Sequence, residues 1–374
     1  MIVGILKEPN GEHRVALMPE QAETLIKRGI TIYIETAAGA NAFAADEIYT
    51  AKGVAVKLRQ EIISNADLLL TIQPISEEEI LLLKQNAVLI GVYQPLFNTQ
   101  HVAKLASHNA TLFSMDMLPR TTRAQSMDVL SSQANIAGYK AVLLAASLYP
   151  KYFPMFMTAA GSIPPAKVLI LGAGVAGLQA VATARRLGAV VEVFDTRPAV
   201  KEEVMSLGAK FIDVEGAADA SAAGGYAVEQ TAEYKQKQQQ KISDAAAKAD
   251  VIITTAQIPG KSAPVLISEE MLMRMKAGSV IVDLAASSGG NTAKTVNESP
   301  ILFNNVIIVG NSNLASGMPA DASKLYGKNI LNFLQLIINK EGQLQLSFDD
   351  DLVKGACITN NCEIVNERVK SLIK

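Results

Sequence analysis

Tryptophan is absent from this chain, cysteine occurs twice and histidine three times. Without tryptophan there is no intrinsic indole emission with which to follow binding. Three histidines, with Cys357 and Cys362 outside any C-x-x-C spacing, leave no framework for a metal. So few thiols also suit a reducing, cytosolic compartment. A surplus of either charge is missing too, because the formal net charge is −2. No basic field is therefore available for nucleic acid or an anionic lipid surface. Apolar runs stay far short of the ~20 residues that cross a bilayer. The first residues, MIVGILKEPNGEHRV, lack the basic stretch and apolar core of a signal peptide.

What is present is the balance of an α/β protein with a large core: 49% hydrophobic and 19% charged residues over 374 positions, enough chain for two domains. Short β-branched runs at Ile2 to Leu6, Thr31 to Glu35, Leu68 to Ile72, Val88 to Val92 and Thr111 to Ser114 alternate with helical patterns. A second series follows at Val168 to Leu171, Val190 to Phe194, Val251 to Thr255, Val280 to Leu284 and Val306 to Val309. This alternation predicts parallel sheets with helices on both faces. Arg123 to Tyr149 reads as one long helix, long enough to bridge two domains. From Val214 to Lys248 the pattern loosens, with too little apolar surface before about Glu229 for firm packing and a helix after it. A further helix runs from Asp321 to about Asn339 and is expected to return to the first domain. The expected architecture is two Rossmann-like doubly wound domains linked by long helices: an outer, discontinuous one over 1–131 plus 321–374, and a nucleotide-binding one over 132–320.

The most specific local pattern is KVLILGAGVAGLQ, Lys167 to Gln179. An apolar strand runs into Gly172-x-Gly174-x-x-Gly177, and an alanine-rich helix follows. In such a turn the first glycine makes the bend, the second lets a pyrophosphate approach, and the third lets helix and strand pack closely. The helix start then offers amides to phosphate. The next strand ends in Asp195, 18 residues beyond Gly177, where a carboxylate accepts from the adenosine ribose hydroxyls and disfavours a 2′-phosphate. NAD is thus favoured over NADP. Arg197 complicates the choice, and either stacks near the adenine or pairs locally.

Three segments, MLPRTTRAQSMDVLSSQANIAGY, MTAAGSIPPAKVLILGAGVAGLQA and AQIPGKSAPVLISEEM, resemble the alanine dehydrogenase and proton-translocating transhydrogenase family, more closely on its transhydrogenase side. The likeness runs from the KEP near the N-terminus to about Asn332. It implies two Rossmann-like domains with NAD(H) in the cleft between them, and a homodimer. It also implies docking on an NADP(H)-binding component joined to a membrane-spanning proton-channel subunit, with direct hydride transfer from NADH to NADP⁺. Such a chain would lie in the cytoplasm, peripheral on the inner membrane through those partners. By resemblance, Arg120, Gln125, Asp128 and Ser131 hold the nicotinamide end, with Gln125 near the ring or ribose and Arg120 paired with Asp128. Ala173, Gly174 and Val175 match the phosphate turn, and Asp195, Thr196 and Arg197 the adenosine end. Gly225 and Tyr226 match a mobile loop over the nucleotide. Gln238 and Gln257 match further contacts, although family members often carry Leu at the second position.

Several residues have plainer readings. Arg120 and Asp128 alone would pass as a surface ion pair. Met155, Phe156 and Met157 read as core packing, Asp283 as a turn cap, and His13, His101 and His108 as surface residues. Arg14 matches a position where alanine dehydrogenases bind a substrate carboxylate, but a structural ion pair is expected here. Amino-acid dehydrogenation needs a proton donor or acceptor at the reacting carbon, and relatives of that kind supply Lys after the third strand and His after the fourth. Here those stretches read LLLTIQPI, with Thr71 and Gln73, and VLIGVYQPL, with Tyr93 and Gln94. Their acidic residue beside a Gly-Gly pair is replaced in LAASSGG by Ser287 and Ser288. Hydride transfer between two nicotinamides needs none of these groups.

Overall fold

The computed structural model describes residues 1–214, 216 and 231–373. The chain divides into two units, Met1–Gln133 with Ser316–Lys374, and Ala134–Ala315. Each is a mixed α/β unit built on a parallel-dominated sheet, as the strand–helix alternation predicts.

In the first unit the sheet runs, edge to edge, Glu363–Ile364, Cys357–Asn360, Thr111–Ser114, Val88–Gly91, Leu68–Leu70, Ile2–Ile5, Thr31–Glu35, Ala55–Lys57. The two strands from the end of the chain pair antiparallel and the other six parallel. Among those six the order is 3-2-1-4-5-6 in sequence terms, the doubly wound arrangement. Side chains alternate across the sheet with the period of two a strand dictates. Val3, Ile5, Leu68, Leu70, Val88, Ile90 and Phe113 enter one core. Leu69, Leu89 and Leu112 enter the other, with Leu6 just past the first strand. The helix Pro319–Ile337 covers the first of these faces with Tyr326, Ile330, Phe333 and Ile337.

In the second unit the order is Lys210–Phe211, Val190–Phe194, Lys167–Leu171, Val251–Thr254, Val280–Asp283, Val306–Gly310, Pro300–Phe303. Only the last pairing is antiparallel. Val168, Ile170, Val251, Ile253, Val280 and Val282 face one core, and Leu169, Leu171, Ile252 and Ile281 the other. The sequential order reverses beside Lys167–Leu171, so the turn leaving that strand lies at the switch point where doubly wound sheets take ligands. The looser region contains the helix Ala232–Ala246, and the sparse stretch before Glu229 lies mostly outside the described residues.

Two expectations are corrected. The long helix is not continuous from Arg123: a 3₁₀ turn spans Thr122–Met127, and the α-helix is Val129–Leu148. The break has a physical cause at Asp128, whose extended backbone and carboxylate form a cap. Its oxygens accept the Ser131 amide at 2.9 Å and the Ser131 hydroxyl at 2.6 Å, satisfying a donor the first turn cannot pair internally. Second, Met155, Phe156 and Met157 are not core residues. They lead into a two-stranded hairpin, Phe156–Thr158 with Gly161–Ile163, and are 63, 42 and 72% exposed. The Tyr152 and Phe156 rings stack at 5.1 Å on this surface.

Candidate functional site

The three glycines of the second unit's first turn have three different reasons to be glycine. Gly172 has φ +104°, and a Cβ there would lie 2.4 Å from the Thr255 hydroxyl. Gly177 supports the helix against the strand: its Cβ would stand 1.9 Å from the Gly172 carbonyl oxygen. Gly174, with φ −77° and ψ −170°, has an ordinary backbone, and its Cβ would meet nothing within 4 Å. Among the described residues, the space in front of Gly174 is therefore open. It faces the start of the helix Val175–Arg186, which carries no side-chain cap. The first amides of a helix have no internal partner and carry the positive end of its dipole, so this opening suits an anion.

Asp195 closes one side of the turn. It is 9% exposed. Its Oδ2 accepts the Ala173 amide at 2.7 Å, which fixes the middle of the G-x-G bend to the end of the neighbouring strand. Arg197 pairs locally, one of its two expected roles. Its amide and Nε reach Oδ1 at 2.8 and 2.9 Å, and Nη2 reaches Oδ2 at 2.7 Å. Four donors thus meet a carboxylate with about four lone-pair sites. For Asp195 to accept from a ribose, Arg197 must yield one of its contacts. Tyr234, 3% exposed on the helix Ala232–Ala246, lies near enough that the Asp195 charge adds to burial in raising its phenol. Thr196 and Gln238 are half-buried, and Gln257 is exposed, with Nε2 donating to the Leu284 carbonyl at 3.1 Å. Gly225 and Tyr226 lie outside the described residues.

Several supporting residues carry no motif. Asn291 is fully buried: it accepts the Ala256 amide at 3.0 Å and donates to the Ala256 and Pro264 carbonyls, each at 2.9 Å. Asp283 caps the turn after its strand, as expected, accepting from the Ala285 and Asn291 amides and the Thr295 hydroxyl at 2.9, 2.6 and 2.6 Å. Gly138 is the lone glycine of the helix Val129–Leu148, and a Cβ there would fall 2.1 Å from the Ala176 carbonyl oxygen. It lets that helix pack on the start of the phosphate-turn helix.

In the first unit, Arg120 and Gln125 are exposed, while Asp128 and Ser131 are half-buried and bonded to each other. Nearby, Arg14 forms the expected structural ion pair with Glu12 at 2.6 Å, and its Nη1 donates to Gln133 at 2.7 Å. Burial pushes the Glu12 carboxyl up, but the hydrogen bonds and charge of Arg14 outweigh it and hold the group low. Glu8 has no guanidinium in its grasp. Its oxygens accept the Ile72 and Gln73 amides at 2.6 and 2.9 Å, and burial raises it to about 7. At the places where amino-acid dehydrogenases carry acid–base groups, Thr71 and Tyr93 are buried and share a 3.4 Å hydrogen bond. His101 is not a plain surface residue: it is half-buried, with its ring 5.9 Å from that of Tyr93.

Two family models match successive parts of the chain. The model of the alanine dehydrogenase/PNT N-terminal domain matches residues 4–137, and that of the C-terminal domain residues 141–367. The first part of NAD(P) transhydrogenase subunit alpha from Rickettsia prowazekii (strain Madrid E) is 44% identical, covering 98% of this chain and 96% of its own. The crystal structure of transhydrogenase from Sinorhizobium meliloti superposes with a TM-score of 0.89 at 43% identity, over 98% of this chain and 100% of that one. Alanine dehydrogenase of Staphylococcus saprophyticus subsp. saprophyticus (strain ATCC 15305 / DSM 20229 / NCIMB 8711 / NCTC 7292 / S-41) is more distant, 26% identical over 99% of this chain and 96% of its own.

Proposed function

Because the chain belongs to the alanine dehydrogenase/PNT family, we propose that it is the NAD(H)-binding component of a proton-translocating transhydrogenase. The observation that carries this reading is the turn Gly172–Gly177 with Asp195. The positive φ of Gly172, the open space before Gly174 and the uncapped helix start fit a diphosphate. The buried Asp195 carboxylate fits a ribose diol and opposes a 2′-phosphate.

In this reading, the amides at the start of Val175–Arg186 bind the diphosphate and Ala173 holds Asp195 in place. Asp195 exchanges part of its grip on Arg197 for the ribose hydroxyls. Thr196, Gln238, Gln257, Gly225 and Tyr226 complete the nucleotide contacts. Gln125 orients the nicotinamide end, while Arg120, Asp128 and Ser131 shape the surface it rests on. When bound, NADH supplies a hydride from its C4 to the C4 of NADP⁺ held by the partner component. No proton passes to or from a side chain at either carbon, so what the residues must supply is orientation and exclusion of water.

The alanine dehydrogenase alternative is disfavoured by the same region of the first unit. Glu8, raised to about 7 by burial, has both oxygens on backbone amides and is 8% exposed, and the Asp116 carboxyl, also raised by burial, accepts from the Ser114 hydroxyl. Thr71, Gln73, Tyr93 and Gln94 offer no acid or base suited to neutral pH. A homodimer belongs to the proposal, supported by the exposed apolar hairpin with Met155, Phe156 and Met157. So does a membrane-spanning proton-channel subunit; among the described residues no helix is long and apolar enough to cross a membrane. Partner-borne attachment would place the chain on the cytoplasmic side of the inner membrane.

The test is to mix the chain with an NADP(H)-binding transhydrogenase component and follow transfer from NADH to a spectrally distinct NADP analogue. Transfer that needs both proteins is expected, with no reduction of NAD⁺ by alanine. Absence of transfer with a component already active beside another NAD(H)-binding chain, or alanine-dependent NADH formation, overturns the reading.

A further inference from the structure

The 3₁₀ turn Thr122–Met127 is pinned from three directions, with the exposed Gln125 between the pins. Ala124 and Met127 are 3 and 7% exposed and sink into the core that holds Phe333, Leu352 and Val353. The Ser126 carbonyl, next in line after Gln125, accepts two side-chain amides, Asn329 Nδ2 and Asn332 Nδ2, each at 2.8 Å. These asparagines lie three apart on the helix Pro319–Ile337, so they present from one face. Two residues before Gln125, the Arg123 guanidinium forks onto Asp350 at 2.7 and 2.6 Å and also reaches Asp351. Asp350 is itself fixed, accepting the Leu352 amide at 2.8 Å as the cap of the helix Asp351–Ala356.

Asn329 makes this contact at an energetic cost. It is 8% exposed, and its Oδ1 is buried with no hydrogen-bond partner. An apolar residue would fill that place without an orphaned acceptor. The other half of the asparagine, the NH₂, meets a carbonyl that a second asparagine also holds. Ser126 is an exposed residue whose carbonyl water could satisfy, so the two side-chain donors serve placement rather than solvation.

We propose that Asn329, Asn332 and the Arg123–Asp350 pair are positioning residues for Gln125. They fix the backbone on both sides of it, so that its amide meets the nicotinamide end in one orientation. This rests on the role given to Gln125 above. Pre-organisation of this kind acts on the reacting geometry more than on affinity.

The experiment uses the full chain with the NADP(H)-binding component. Asn332→Asp exchanges the NH₂ for an acceptor at nearly constant volume, Asn332→Gln restores a donor, and Arg123→Gln removes the fork at the surface. Asn332→Asp and Arg123→Gln should slow single-turnover hydride transfer by about tenfold to a hundredfold, with NADH affinity changed less than about threefold. Asn332→Gln should recover at least part of the rate, and exchange of the Gln125 to Asp128 amides should quicken in Asn332→Asp. Wild-type transfer with variants equally fast, or with rate and affinity falling together, overturns the positioning role. A wild-type chain that transfers nothing beside a competent component instead overturns the functional reading, and the role of Gln125 with it.

Discussion

Replacing Gly174 and Gly177 by alanine, one at a time, should separate binding from stability. At Gly174 the backbone already suits any L-residue, and the added Cβ has nothing within 4 Å. Folding loses no contact. The smaller entropy of the unfolded chain should even stabilise the variant by about 0.4–1 kcal/mol. The same methyl group, however, stands where a phosphate must approach the amides at the helix start. Loss of one charge-assisted hydrogen bond is worth about 1.5–3 kcal/mol, so NADH affinity should fall by roughly tenfold to a hundredfold. At Gly177 the Cβ would lie 1.9 Å from the Gly172 carbonyl oxygen, inside van der Waals contact. The helix must move off the strand, an overpacking cost of about 1–3 kcal/mol, and binding falls because the turn is distorted. The assay is denaturant unfolding without nucleotide, paired with titration by the emission of NADH, which no tryptophan obscures. Gly174→Ala binding NADH as tightly as wild type would refute the phosphate assignment. So would Gly177→Ala unfolding no more easily than wild type, because the close approach would then have no energetic content.

Glu8→Gln should flatten the pH dependence of stability. The folded carboxyl is raised from 4.5 to about 7, so its contribution is complete below about pH 4.5 and is lost as pH rises through 7, a span worth about 3 kcal/mol. Against wild type, unfolding curves should put Glu8→Gln at a relative disadvantage near pH 5 and an advantage near pH 8; parallel profiles would mean that Glu8 is not held protonated. Gln125→Asn should slow hydride transfer more than it weakens NADH binding. Equal losses in rate and affinity would count against its place at the nicotinamide end.

Much of this was legible because the inner strands are continuous apolar runs bounded by helical patterns. Thr31–Glu35, Thr111–Ser114 and Val190–Phe194 fall where the β-branched and aromatic residues predict them. The strands that escaped are short and lie at or next to a sheet edge. Ala55–Lys57 carries one apolar β-former and a lysine, and Lys210–Phe211 is two residues long. Cys357–Asn360 becomes a strand only through its antiparallel partner Thr111–Ser114. The interruption at Asp128 was hidden because helical periodicity continues on both sides, and a single capping carboxylate decides the break. At the site, a glycine motif announces itself by spacing. The polar supports do not: Asn291, Asn329 and Asn332 act through backbone groups 35, 203 and 206 residues away. Arg197 could be narrowed to two roles from its neighbours, but choosing between them required the geometry of its fork on Asp195.

Titration with NADH of wild type and Asp195→Ala side by side, repeated with NADPH, goes most directly to the centre of the account. Wild type should bind NADH in clear preference to NADPH. The variant should bind NADH roughly tenfold or more weakly, the expected cost of losing hydrogen bonds to a charged group, and the preference should narrow. Equal affinity of the two proteins for NADH would contradict a dinucleotide held at the glycine turn by this carboxylate.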